Sequence, residues 1–149
     1  MSKRPFIVFG LFAALCLVVL PWFALGKEGE ESAAIVQVEP RDQDAKALFA
    51  NNCGPCHTLA AAGTDGVVGP DLDSTLAPTG TNDAAQYEGN YTRVISAVSC
   101  GIGGRMPEGI LVGEEAQEVA AFVAAYAGRI DKGPTVDTET AAKPDPQPC

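Results

Sequence analysis

The chain has 149 residues, and 19 acidic side chains against 10 basic ones give a net charge of −9. So acidic a chain lacks the basic face that nucleic acid demands, which excludes nucleic-acid binding. An apolar N-terminal run and a proline-rich end leave about 90 residues for one small domain, marginal for a core made of protein alone.

Residues 6–25 form an uncharged apolar run, just long enough as a helix to cross about 30 Å of hydrocarbon. Lys3 and Arg4 precede it, whereas Glu28, Glu30 and Glu31 follow. The positive-inside rule then predicts a cytoplasmic N-terminus and an exported remainder, and Trp22 and Phe23 stand where an interfacial aromatic belt belongs. Ala24-Leu25-Gly26 also has the small-residue spacing of a cleaved secretory signal. The run exceeds the roughly 7–15 residues of a signal core, which favours an uncleaved anchor. The expected organisation is therefore a single transmembrane anchor over residues 1–26 and an acidic flexible linker over 27–43. A folded domain over 44–132 and a disordered, proline-rich tail over 133–149 complete it.

Within the domain, the first helix is predicted over about residues 44–52, with Leu48 and Phe49 facing inward. Cys53-Gly54-Pro55-Cys56-His57 follows, and His57 is the only histidine of the chain. The pentapeptide fits the C-x-x-C-H signature of covalent c-type haem attachment. Two thiols three positions apart lie about one helical turn from each other, so each can form a thioether with one haem vinyl. The next residue places an imidazole over the iron.

Residues 58–86 are rich in Gly, Pro, Thr and Asp, which suits loops wrapped around a cofactor. A second helix is predicted over about 90–99, where Tyr91, Val94, Ile95 and Val98 form a stripe. Next comes Gly103-Gly104-Arg105-Met106-Pro107. The sixth iron ligand is expected to be Met106, because no second histidine exists and Met1 lies beyond the apolar run. The glycines let the backbone come close to a flat ring, and Pro107 stiffens the turn. The third helix starts near Glu114, buries Val119, Phe122, Val123 and Tyr126, and stops at Gly128. Cys100 and Cys149 are left over and share an oxidising compartment. A disulfide stapling the tail beside the Met106 loop is one reading; two unpaired thiols are the other.

These features together resemble the class I monohaem cytochromes c of bacteria, over about residues 44–129. The resemblance rests on the C-x-x-C-H site, Gly69-Pro70-Asp71-Leu72, the Met106-Pro107 pair and the closing amphipathic helix. It implies an all-α, cytochrome c-like domain wrapped around one covalent haem c. It also implies that the carbonyl of Pro70 accepts the other N–H of His57. One departure is Ala45, where the family usually has glycine four residues before the first-helix aromatic.

Cys-Gly-Pro-Cys is also the dithiol of thioredoxins, and a membrane-anchored thiol–disulfide oxidoreductase using Cys53 and Cys56 is the competing enzyme reading. That reading needs strands for a parallel sheet, but Val67-Val68 and Ile110-Leu111-Val112 are too short and are flanked by glycine. The expected function is thus non-enzymatic. A haem ligated by His57 and Met106 would carry single electrons between a quinol-oxidising complex and a terminal oxidase or other acceptor, with no small-molecule substrate. A fixed haem subunit of a larger respiratory or photosynthetic complex is the alternative. The domain should lie on the periplasmic side of the cytoplasmic membrane. Residues 44–132 carry five basic and eleven acidic side chains, a net −6, which suits redox partners with a basic docking surface. Arg93 and Arg105 are candidates to pair with propionates. Residues 59–62 and Ile102, small and apolar, are expected to flank the haem edge as the contact patch.

Overall fold

The computed structural model describes residues 14–17, 36–79, 83–129, 133–145 and 149. The chain forms two units, residues 1–33 and 34–149. In the first, residues 14–17 are helical, and the rest of the expected membrane span lies outside the described residues. Among the described residues, no helix is long and apolar enough to cross a membrane.

The second unit is mostly helical. A 3-10 turn over Pro40–Asp42 leads into α1, Gln43–Asn52. A hairpin of two-residue strands follows, β1 (Thr58–Leu59) and β2 (Thr64–Asp65), antiparallel with Thr58 opposite Asp65. Its connection is a 3-10 turn over Ala60–Ala62, closed by Gly63 at φ 69°. Then come α2 (Leu72–Leu76), α3 (Ala84–Cys100) and α4 (Gly113–Tyr126).

α4 is the centre of the molecule. Glu114 and Glu115 occupy its first turn, where the helix dipole favours negative charge. From Val119 to its end no residue exposes more than 1% of its surface. Apolar residues all round a helix mark burial on every side, and here five alanines let the neighbours come close. α3 makes the most extensive helix contact with α4. On the other side Phe49 of α1 meets Phe122 at 6.4 Å between ring centres, tilted by 54°. Ala45 is buried in the same core.

The three predicted helices are present, but α3 starts six residues before its expected position. Asp83 caps it, its carboxylate accepting from Ala85 N and Gln86 N at 3.0 and 3.1 Å. Two segments read as loose are not. From Val36, which is buried, the linker is part of the fold, and Asp42 is only 5% exposed. Asp42 accepts from the Tyr126 hydroxyl at 2.7 Å and from the Thr138 hydroxyl. The tail over 133–145 is likewise fixed, in place of the expected disorder. Thr135 donates from N to Ala125 O at 3.1 Å, Thr138 is buried, and Val136 and Ala141 pack on the core. Asp137 pairs with Arg41 at 2.9 Å. Cys149 ends the chain in a disulfide with Cys100.

Candidate functional site

α1 does not stop cleanly; it runs on into the cysteine motif as a further turn. Cys53 N and Gly54 N donate to Phe49 O at 2.8 and 2.9 Å. Cys56 N and His57 N then donate to Cys53 O at 3.0 and 2.9 Å. Cys53, Cys56 and His57 are thereby held on one hydrogen-bonded turn. Gly54 cannot be larger, since a Cβ would lie 2.6 Å from Ala50 O. Both motif thiols are free, Cys53 buried and Cys56 exposed.

The hairpin holds the histidine from the other side. Thr64 Oγ1 donates to His57 O at 3.0 Å and accepts from Leu59 N at 3.1 Å. Gly69 N donates to Cys56 O at 2.7 Å, laying the next segment across the ring. A Cβ at Gly69 would fall 2.4 Å from His57 Cε1, so only glycine lets the backbone pass there. One residue on, Pro70 O lies 2.9 Å from His57 Nδ1. A carbonyl can only accept, so Nδ1 carries the proton and Nε2 keeps its lone pair for a metal.

The Gly-Pro-Asp-Leu segment also builds α2. Asp71 Oδ1 accepts from Asp73 N and Ser74 N at 2.9 and 3.3 Å, capping the helix. Asp73, which no motif singles out, joins three segments. Its carboxylate accepts from Ala60 N and from Gly128 N, each at 2.7 Å.

Met106 is presented by a different element. Ile102 and Met106 form a bridge, with Ile102 N donating to Met106 O at 3.0 Å. Gly103 and Gly104, at φ 45° and 74°, make the turn between them. Gly101 supplies the close approach: a Cβ there would lie 2.6 Å from Met106 O. The Met106 side chain is half-buried against the core, as are Leu72, Val94 and Ile110. Arg93 and Arg105 are both exposed.

A family model described as cytochrome c matches residues 43–126, more than half of the chain. The chain belongs to the cytochrome c family. No curated protein and no solved structure matches it. Membership implies a covalently bound haem c and supports a role in haem-based electron transfer. The residues present fit such a group. Two thiols a helical turn apart could take the thioethers, and the His57 ring, held at Nδ1 by Pro70 O and passed by Gly69, offers Nε2.

The cytochrome c assignment favours an electron carrier over the dithiol enzyme, and the local chemistry agrees. Burial, with the neighbouring Cys56 adding to it, pushes the Cys53 thiol up to about 11. A nucleophilic thiol of that class needs the opposite shift. Among the described residues the sheet is a single antiparallel hairpin, with no parallel frame for a thioredoxin fold.

The expected contact patch needs correction. Leu59, Ala61 and Ala62 are buried, because the hairpin and its 3-10 connection turn them onto α1 and the core. Ala60 is exposed, and Ile102 is 54% exposed as expected. Val67 and Val68, just before Gly69, are the apolar side chains that stand out on the His57 side.

Proposed function

We propose that this cytochrome c carries single electrons through one haem, bound by thioethers to Cys53 and Cys56 and ligated axially by His57 Nε2 and the Met106 thioether. The observation that supports it most strongly is the His57 Nδ1–Pro70 O bond, with Gly69 as the only residue type able to pass the ring. That bond fixes the imidazole's orientation and raises its basicity as a ligand. Bound there, a haem would supply a one-electron ferric–ferrous couple, and Met106 as a ligand in addition to His57 would raise its potential. The chain's own part is to orient His57, to present Met106 on the bridged loop, and to bury the group.

The apolar run over 6–25, with Lys3 and Arg4 before it, supports a membrane-anchored protein whose haem domain is exported. Its donor would be a quinol-oxidising complex, and its acceptor a terminal oxidase or similar protein. The net −6 of residues 44–132 favours partners with basic docking surfaces.

The test is an absorption spectrum of the haem-loaded chain, ferric and ferrous, with and without carbon monoxide. Covalent, low-spin haem that ignores carbon monoxide is the expected result. Ready carbon monoxide binding would remove Met106 from the iron, and loss of haem into acid acetone would remove the thioethers.

A further inference from the structure

The end of α3, the Met106 loop and the tail meet at one point. Val98 O accepts from Gly109 N at 3.1 Å, so the last turn of α3 holds the far limb of the loop. Gly101 and Ile102 hold the near limb, through the close approach to Met106 O and the 3.0 Å bond to it. Cys100 lies between these contacts and is bonded to Cys149. The tail so fastened is anchored again through Thr135 to Ala125 O, and through Thr138 to the buried Asp42. Gln117 Nε2 reaches Asp145 Oδ1 at 3.3 Å between them.

We propose that the disulfide-fastened tail is a strap that positions Met106, and that an external dithiol opens it and frees the sixth position of the iron. This rests on Met106 being the axial ligand. The exposed Cys149 gives a reductant access, whereas Cys100 is half-buried. One thiolate of the dithiol attacks Cys149 Sγ, and Cys100 Sγ leaves and takes a proton. The second thiol then displaces Cys149 Sγ, which is protonated in turn. Two electrons and two protons pass to the pair, and the dithiol becomes a disulfide.

The test uses the full, haem-loaded chain and its Cys100→Ser/Cys149→Ser variant, both ferric, titrated with imidazole. The weak far-red thioether-to-iron band is followed in parallel. An added ligand's apparent affinity scales with the fraction of open loop, so the variant should bind imidazole at least about tenfold more tightly. Its far-red band should weaken while helical circular dichroism is kept. Equal affinity and an equal band in both proteins would overturn the strap. An intact protein lacking the band, and matching Met106→Ala, would instead show that Met106 is no ligand, and the strap would fall with it. Wild-type protein reduced with a dithiol, alkylated and reoxidised with ferricyanide gives the same readout without folding a variant.

Discussion

Adding one methyl group at Gly69 should displace the His57 ring from its cradle. The new Cβ would lie 2.4 Å from His57 Cε1, 2.7 Å from Nδ1 and 2.9 Å from Nε2. Carbon atoms rest at about 3.5–4.0 Å, so the ring must retreat by roughly 1 Å. The 2.9 Å bond to Pro70 O cannot survive that displacement. Forced overpacking and the lost hydrogen bond together predict a cost of about 2–4 kcal/mol. The imidazole also becomes a poorer donor, which disfavours ferric iron more than ferrous. About 1 kcal/mol of that difference would raise the midpoint potential by roughly 40 mV for one electron. Urea titration and potentiometry of haem-loaded Gly69→Ala measure both quantities. Gly89→Ala is the control: Gly89 lies inside α3 with open space around its Cβ direction. There the same substitution should stabilise by about 0.5–1 kcal/mol. If Gly69→Ala keeps both its stability and its potential, the reasoning about the histidine cradle is wrong.

Two further outcomes follow from the buried titratable groups. In the haem-free chain at pH 8, peptide mapping after timed alkylation should find exposed Cys56 modified first. Cys53, pushed up to about 11, should react about a hundredfold more slowly than a free cysteine; a faster Cys53 would restore the dithiol enzyme. Burial, then the nearby Tyr91 and Asp42, pushes Tyr87 up to about 12 from an ordinary 10. The folded chain thus keeps a proton that the unfolded chain loses, so this share of stability is full below pH 10 and is lost as pH rises through 12. Tyr87→Phe should flatten the fall in stability over that window, and an unchanged slope would refute the assignment. The Tyr87 hydroxyl has no hydrogen-bond partner among the described residues. The same variant should therefore cost less than about 1 kcal/mol at pH 7.

What the sequence made legible was local or periodic. Cys53, Cys56 and His57 lie within five positions, and the single hydrogen-bonded turn that brings them together is local enough to be read from the pattern. The stripes of α3 and α4 likewise predict their buried faces. The beginning of α3 was hidden because Gln86, Glu88, Gly89 and Asn90 interrupt the stripe, and Asp83 acts through a cap rather than through periodicity. The facing of residues 59–62 is not legible from periodicity, because a hairpin and a 3-10 turn, not a helix, decide it. Four prolines in the tail read as disorder. What fixes the tail is the polar anchoring of Thr138 and Asp42, across 96 positions of sequence, together with Cys149.

Asp73 is the sharpest case of a residue that sequence patterns cannot reach. Its two bonds go to backbone N–H groups 13 and 55 positions away. Main-chain donors leave no trace in residue types, so nothing in the chain announces the contact. Physically it should matter more than its neighbour Asp71, which caps a five-residue helix from an exposed position. A helix cap lost to alanine costs about 1 kcal/mol. Hydrogen bonds to a charged acceptor are worth about 1.5–3 kcal/mol each, and Asp73→Ala strands two donors. Because Asp73 is half-buried, water recovers part of this, leaving an expected loss of about 2–4 kcal/mol. The two donors sit on the hairpin beside His57 and at the end of α4. Loss of Asp73 should therefore loosen the attachment of the histidine side to the central helix. Denaturant unfolding of Asp73→Ala beside Asp71→Ala decides the point: equal losses would mean that Asp73 is only a first-turn carboxylate.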